Sequence, residues 1–122
     1  MKMLRLPTGN AICYSGYREG QDPNRQLYPS AAEIREDLHI LKKNWQLLRL
    51  YDCSLHAERV LRVIREDKLP FQVMLGAYLG AEMNNFGCPW GATYPEEQLE
   101  ANQRENAAEV ERLIKLARQY ED

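Results

Sequence analysis

The chain has 122 residues, 28% of them charged, and a net charge of −2 at pH 7, so it can form one domain with a buried core. Acidic and basic residues are nearly balanced, and therefore neither nucleic acid nor an anionic membrane surface is expected as a partner. The sequence contains no apolar run long enough for a signal peptide or a transmembrane helix, and we expect a cytoplasmic protein.

Residues 11–14 are the first predicted strand, because this short apolar run follows the turn-like cluster Pro-Thr-Gly-Asn. The next segment, SGYREGQDPNRQLYP, is a long polar loop, and such loops in compact domains are often functional. Its tyrosines, arginines, aspartate and asparagine are side chains suited to binding sugar. Ser30 and Glu33 have capping-box spacing. This spacing predicts a helix whose buried face consists of Ala31, Ile34, Leu38 and Leu41.

The second predicted strand, residues 46–52, has the sequence QLLRLYD. Side chains alternate between the two faces of a strand, so Leu47, Arg49 and Tyr51 share one face and the remaining leucines share the other. One face is apolar, whereas the other carries a cation and a phenol. This pattern fits a barrel strand whose outer face packs on helices and whose inner face supplies polar groups to a pocket.

A second helix is predicted from the N-cap Ser54 to about Asp67. Its apolar residues have the i, i+3, i+4, i+7 spacing of an amphipathic helix, and they are Ala57, Val60, Leu61 and Ile64. Residues 71–76, FQVMLG, follow as the third predicted strand, because this short and mostly apolar run is bounded by Pro70 and Gly76.

The second long loop, residues 77–95, combines aromatic side chains with amides and a carboxylate. Thr93 and Glu96 have capping-box spacing and predict a helix from Glu96 to about Tyr120. The apolar stripe of this helix is predicted to consist of Val110, Leu113, Ile114 and Ala117. Three amides interrupt the stripe near its start and leave open a separate short helix there: Asn102, Gln103 and Asn106.

Strand, loop and helix follow one another three times, with the long loops on the strand-to-helix side. Strands that alternate with helices imply a parallel sheet, and in a (β/α)8 barrel the strand-to-helix loops build the active site. A whole barrel needs about 250 residues. The expected fold is therefore α/β, a partial (β/α)8 TIM barrel made of the first three βα units with parallel strands, with residues 1–122 as its N-terminal portion.

The three cysteines are Cys13, Cys53 and Cys88. Their odd number and the absence of Cys-x-x-Cys spacing argue against a secreted disulfide framework, and we expect free thiols. The two histidines, His39 and His56, fall in predicted helices, which makes a fourth zinc ligand hard to place. No metal and no cofactor is expected.

Three segments together carry a family resemblance: AICYSGYREG, RLYDCS and QVMLGAYLG. They resemble the first three strand ends of glycoside hydrolase family 17-like barrels, the β-1,3-glucanase group. In that group a Cys-Tyr strand is followed by an Arg-hydrophobic-Tyr strand and then by a hydrophobic strand that ends in Leu-Gly. The resemblance extends over nearly the whole chain from Ala11 onwards. The last predicted helix, rich in Asn and Glu, is similar to the helix that precedes the fourth strand in the bacterial branch.

The resemblance implies a retaining glycosidase, whose mechanism needs two carboxylates about 5 to 5.5 Å apart. In the family, the acid/base follows an Asn at the end of the fourth strand, and the nucleophile belongs to the second half of the barrel. This chain contains no Asn-Glu dipeptide and no predicted fourth strand. We therefore expect no catalytic residue in it, and the chain alone should not hydrolyse glucan.

The resemblance also places Tyr14 and Tyr51 in the substrate cleft, where they would stack on or hydrogen-bond to a glucosyl ring of a β-glucan or oligosaccharide. Arg49 and Asp52 would support the floor of the pocket. Asp52 also has a structural explanation, because it lies just before the predicted N-cap of the second helix. The structural alternative for Tyr51 is an aromatic residue of the barrel core whose hydroxyl finds a partner.

Two aromatic residues of the second long loop, Tyr78 and Trp90, complete the candidates for substrate binding. Trp90 and Phe86 could form a sugar platform or could pack the loop onto the barrel. The carbohydrate hypothesis has one geometric requirement: Tyr14, the Arg49-Tyr51 pair and this loop must meet at the carboxyl ends of the strands. If these side chains lay on opposite sides of the sheet, the carbohydrate hypothesis would lose its structural basis.

Two further hypotheses stay open. The chain could belong to another sugar-handling barrel, such as an isomerase or epimerase, whose metal ligands would come from later strands. It could also be a non-catalytic half-barrel that associates with the missing barrel half or with itself. Three parallel strands leave open edges and uncovered apolar surface, which favours such self-association.

Overall fold

The structure is a computed structural model that describes residues 7–121. Two compact units make up the chain, Met1–Gly76 and Ala77–Asp122. The first unit holds the strands and two helices, and the second holds a long loop followed by the last helix.

Strands and helices alternate in the first unit: β1 (Ala11–Cys13), α1 (Ala31–Leu41), β2 (Leu47–Arg49), α2 (Leu55–Glu66) and β3 (Gln72–Met74). The strands form one parallel sheet in the order β1-β2-β3, which confirms the predicted parallel α/β arrangement. Each strand is shorter than predicted, but the hydrogen bonds of the sheet continue beyond it. Tyr14 N–H donates to the Arg49 carbonyl at 2.9 Å, and Leu50 N–H donates to the Met74 carbonyl at 3.0 Å.

The register of the sheet sorts its side chains onto two faces. Cys13, Arg49 and Met74 are partners across the three strands, so they point to the same side, and all three are exposed. Leu48 and Leu50 point to the other side and are only 1% and 0% exposed. The predicted division of this strand into an apolar buried face and a polar face is confirmed.

Helices α1 and α2 supply most of the remaining core of the first unit. α1 begins with the predicted capping box, in which Ser30 and Glu33 exchange side-chain to backbone hydrogen bonds. Ile34 and Leu38 of α1 are fully buried, whereas the ends of its predicted face are half-buried. Of the predicted apolar residues of α2, Ala57, Val60 and Leu61 are buried, whereas Ile64 is half-buried and Val63 is buried in addition. Burying one such leucine or isoleucine contributes roughly 1.5 to 3 kcal/mol to folding, so these side chains hold the unit together.

In the second unit, α3 spans Glu96–Gln119 without a break, so the separate short helix is not formed. The predicted Thr93 capping box is also wrong, because the N-cap is Pro95 and no side chain caps the helix there. The predicted apolar stripe is wrong as well: Val110 and Ile114 are 40% and 47% exposed. The buried residues of α3 are Asn106, Glu109 and Leu116.

A row of polar side chains explains which face of α3 is buried. Asn106 donates to the Gly80 carbonyl and accepts from the Gly80 N–H, both at 2.8 Å. Asn102 donates to the Ala81 carbonyl at 2.8 Å, and Glu109 accepts from the Tyr78 N–H at 3.2 Å. Positions 102, 106 and 109 lie on one helix face. The polar part of this face is buried because the segment 78–81, which belongs to no helix or strand, needs partners for its backbone.

Candidate functional site

The carboxyl ends of the three parallel strands lie at one edge of the sheet, where ligands bind in open α/β folds. Which side chains come together at this edge depends on the face of the sheet to which each of them points. We call the exposed side that carries Cys13, Arg49, Tyr51 and Met74 the open sheet face.

On the open sheet face, three side chains form a compact cluster. The Arg49 guanidinium lies 4.7 Å from the centre of the Tyr51 ring, within the range of a cation–π interaction. Arg49 Nη1 also lies 3.8 Å from Cys13 Sγ. Within the described residues Arg49 forms no ion pair with a carboxylate, so the hydrogen-bonding capacity of its guanidinium is largely unused.

This cluster changes the acidity of two of its members. The hydrogen bond from Arg49, with a smaller contribution from Tyr51, lowers the pKa of the Cys13 thiol. The neighbouring Cys13 in turn raises the pKa of Tyr51. Tyr51 is 45% exposed and therefore offers ring surface and a neutral hydroxyl to a ligand, with the Arg49 N–H groups beside it.

Tyr14 does not join this cluster, and the expectation that Tyr14 and Tyr51 face one mouth is wrong. The alternation of side chains along the strand turns Tyr14 to the side opposite Cys13, where it is only 7% exposed. Its hydroxyl donates to Oδ2 of Asp37 on α1 at 2.8 Å. The sequence-based condition for the carbohydrate hypothesis therefore fails for Tyr14, while Arg49 and Tyr51 meet as expected.

Asp52 lies in the segment that joins β2 to α2 and has a structural role. Its Oδ1 accepts from the Ser54 N–H at 3.2 Å and from the Ser54 hydroxyl at 2.8 Å. Ser54 occupies the predicted N-cap position, but its side chain gives no capping hydrogen bond to α2. The carboxylate of Asp52 thus orders the turn into the helix and places a negative charge at the helix N-terminus, where it is favourable.

His56 is the centre of a buried cluster that the sequence interpretation did not single out. Its ring stacks on Tyr17 with centroids 5.2 Å apart and lies 5.6 Å from the Tyr14 ring. Its Nε2 accepts from the Gly16 N–H at 3.1 Å, which fixes the neutral tautomer. Burial lowers the pKa of His56. The burial of His56 could have been predicted from the sequence, because its i, i+4, i+7 spacing with Val60 and Val63 places His56 on the buried side of α2.

Through this cluster, the first long loop is attached to the helices. Arg18 pairs with Asp37 at 2.9 Å, so Asp37 joins the loop and Tyr14 to α1. The Tyr17 hydroxyl is buried, and burial raises the pKa of Tyr17 to about 12. These aromatic and ionic contacts make the first half of the loop part of the packed structure rather than an open binding surface.

The remaining candidates, Tyr78 and Trp90, lie in the second unit and are 73% and 87% exposed. Their exposure fits contact with a ligand, and their substrate-binding role stays a prediction. Within residues 7–121, no three His, Cys, Asp or Glu side chains come close enough together to hold a metal ion. Over the same residues, no helix combines the length and the apolar character that crossing a bilayer requires.

No protein-family model and no curated protein matches the chain. Among solved structures, the chain is similar to an endo-laminarinase from Formosa Hel1_33_131, with 30% sequence identity and a TM-score of 0.68. The match covers 93% of this chain and 28% of that chain, so the chain spans less than a third of the laminarinase. The three parallel strands that alternate with helices correspond to part of the barrel of a glycoside hydrolase.

Proposed function

We propose that the chain is part of a retaining, family 17-like glycoside hydrolase and supplies a portion of its binding site for β-1,3-glucan. The observation that carries this proposal is the similarity to an endo-laminarinase over 93% of the chain at 30% identity. The motifs at the strand ends point to the same group of enzymes.

The open sheet face supplies the binding chemistry of this proposal. The two faces of a pyranose ring are rich in C–H groups, and its hydroxyls lie around the rim. The exposed ring of Tyr51 can stack on one face of the sugar, because an aromatic ring binds apolar surface without needing charge. Arg49 is held over Tyr51 at 4.7 Å, and those of its N–H groups that form no bond within the described residues can donate to the sugar hydroxyls. A neutral saccharide uses both properties at once.

Binding without cleavage is the expected behaviour of these 122 residues. Retaining hydrolysis needs a pair of carboxylates about 5 to 5.5 Å apart, and the sequence contains no Asn-Glu dipeptide of the kind that the resemblance assigns to the acid/base. On the open sheet face, Cys13, Arg49 and Tyr51 provide no carboxylate. The residues proposed for binding on this face are Arg49 and Tyr51, and the substrate-binding roles of Tyr78 and Trp90 in the second unit stay predictions.

Isothermal titration of the chain with laminarihexaose tests the proposal. Replacing Tyr51 by Ala should weaken binding by about tenfold, because the loss of one aromatic contact corresponds to roughly 1.4 kcal/mol. Arg62→Ala, which removes an exposed arginine of α2, is the matched control and should leave the affinity unchanged. Equal affinity of the Tyr51→Ala and Arg62→Ala variants would contradict binding at the open sheet face. Release of reducing ends by the chain alone would contradict its lack of catalysis.

Protein association through the open sheet face is a second candidate function. Met74 is 69% exposed on this face, and β1 and β3 are the edges of the described sheet, where unpaired backbone groups favour association. Sedimentation velocity over a range of concentrations measures it directly. A Met74→Lys variant should shift any dimer towards monomer, whereas a wild-type monomer at all concentrations would refute self-association.

A further inference from the structure

A loop in the second unit displays two large aromatic side chains to solvent. We call residues 84–94 the double-turn loop. Two consecutive β-turns share Cys88, since Cys88 N–H donates to the Asn85 carbonyl at 3.2 Å and Gly91 N–H donates to the Cys88 carbonyl at 3.1 Å. Phe86 lies in the first turn and Trp90 in the second, and they are 83% and 87% exposed.

The two ends of the double-turn loop are joined by one side chain. Asn84 Nδ2 donates to the Tyr94 carbonyl at 2.9 Å, and Asn84 Oδ1 accepts from the Tyr94 N–H at 2.8 Å. In the first turn, the Gly87 N–H donates to the Asn85 side chain at 3.1 Å. The loop is therefore closed at its base and ordered at its tip, which reduces the entropy lost when a ligand binds to its aromatic residues.

The charge of the loop selects the kind of ligand. No charged side chain lies between Glu82 and Glu96 in the sequence, and the flanking charges are negative. Phosphate groups and anionic lipid surfaces are bound through lysine and arginine, so this loop disfavours both. Exposed aromatic rings beside uncharged amides suit a neutral ligand that has apolar faces and a hydroxylated rim.

We propose that the double-turn loop is a binding site for a neutral polysaccharide, in which Phe86 and Trp90 stack on pyranose rings and Asn84 positions the two turns. The inference rests on the proposed glucan function, because that function supplies the class of ligand. It adds a binding element that lies wholly within the second unit and does not require the open sheet face.

Two tryptophans are present, Trp45 and Trp90, so the Trp45→Phe variant makes the fluorescence of Trp90 a direct reporter. Addition of laminarihexaose to the full chain should change this emission in a saturable way. The change should persist when Tyr51→Ala is added, because Tyr51 belongs to the other site. In titration calorimetry, Trp90→Ala and Phe86→Ala should each weaken binding by about three- to tenfold, and the Trp45→Phe control should not.

The variants also separate failure of this inference from failure of the proposed function. Affinity that falls with Tyr51→Ala but not with Trp90→Ala or Phe86→Ala would overturn the loop site and leave the open sheet face intact. Absence of binding in every variant would overturn both proposals. A shift of Trp90 emission caused by neutral phosphatidylcholine vesicles, or by protein concentration alone without saccharide, would overturn the loop site in favour of a lipid surface or a second copy of the chain.

Discussion

The hydroxyl of Tyr14 donates to Oδ2 of Asp37 at 2.8 Å and thereby joins the end of β1 to α1. Burial and the Asp37 carboxylate both raise the pKa of Tyr14, so the hydroxyl stays a neutral donor. Arg18 pairs with the other oxygen of Asp37 at 2.9 Å. One carboxylate therefore holds both the strand end and the first long loop.

We expect Tyr14→Phe to reduce the free energy of unfolding by about 1 kcal/mol, because it removes one hydrogen bond from a partly buried pair. The substitution should leave the affinity for laminarihexaose unchanged, since Tyr14 faces the helices. Urea denaturation and calorimetry measure the two quantities. In the urea experiment, Tyr78→Phe is the control for the loss of an exposed hydroxyl. Weaker saccharide binding by Tyr14→Phe at unchanged stability would contradict this expectation and support a role of Tyr14 in the substrate cleft.

His56 predicts a loss of stability in mild acid. Burial lowers the pKa of His56 in the folded protein below its ordinary value, so the unfolded chain takes up this proton first as the pH falls below about 6.5. The free energy of unfolding must then decrease with falling pH. The carboxylates of Asp37 and Asp52 act in the opposite direction but contribute less than burial. Protonation also replaces the acceptor of the Gly16 N–H by a second donor.

Urea denaturation of the wild type and of His56→Gln between pH 5 and 8 measures this effect. The variant should show a smaller decrease of stability between about pH 7 and 5, because it lacks the titrating group. The other histidine, His39, is present in both proteins, so its contribution cancels in the difference. Identical slopes would show that His56 is as easily protonated in the folded state as in the unfolded state.

The sequence predicts the fold well where the cause of a structure is local. The capping box of Ser30 and Glu33 fixes the start of α1, and the apolar spacing of α2 fixes its buried side. In and directly after β2, the alternation of Leu48, Arg49 and Leu50 is enough to separate the buried face from the open sheet face. Each of these features depends on neighbours within a few residues, and each is found in the structure.

The side on which Tyr14 lies could not be predicted in the same way. The sequence shows that side chains alternate along β1. Which of them share a face with Arg49 of β2, however, depends on the register that pairs Cys13 with Arg49. No local pattern specifies this pairing. For the same reason, the Arg49–Cys13 contact and the contact of Gly16 with His56 were missed, since they join residues that are 36 and 40 positions apart.

The buried face of α3 escaped prediction for a different physical reason. Hydrophobic spacing detects apolar contacts, and it selected a stripe that includes Val110 and Ile114. The structure buries Asn106 and Glu109 instead, because their side chains satisfy the backbone of Gly80 and Tyr78. A helix face that is buried through polar side chains shows no periodic spacing of apolar residues, so hydrophobic spacing cannot detect it.

The contact between Arg49 and Cys13 predicts a reactive thiol. A thiolate is the nucleophilic form of cysteine, and the hydrogen bond from Arg49 lowers the pKa of Cys13. At pH 7, iodoacetamide should therefore modify Cys13 before Cys53, which is only 1% exposed. In Arg49→Leu, the reaction of Cys13 should slow severalfold at pH 7, and its pH midpoint should move upward.

Peptide mapping by mass spectrometry follows each cysteine separately. Arg62→Leu on α2 is the matched control, because it removes an exposed arginine far along the chain from Cys13 and should leave the reaction rate unchanged. A pH profile for Cys13 that is the same in the wild type and in Arg49→Leu would show that the guanidinium does not act on the thiol.

The paired hydrogen bonds of Asn106 with Gly80 predict that this side chain is important for the stability of the second unit. Asn106→Leu keeps a similar volume but removes both bonds of 2.8 Å and leaves the Gly80 N–H and carbonyl without a partner. Each of these part-buried hydrogen bonds contributes about 1 kcal/mol, so we expect a loss of roughly 2 kcal/mol in the free energy of unfolding. The Gly80 amide should also exchange its hydrogen faster.

Denaturation curves and amide exchange by NMR measure the two effects. Asn106→Asp retains an acceptor for the Gly80 N–H but has no donor for the Gly80 carbonyl, so its stability should lie between those of the wild type and Asn106→Leu. Gln103→Leu changes an exposed amide on the same helix and should alter stability by less than about 0.5 kcal/mol. If Asn106→Leu were as stable as Gln103→Leu and protected Gly80 equally well, hydrogen bonding would not be what attaches the segment 78–81 to α3.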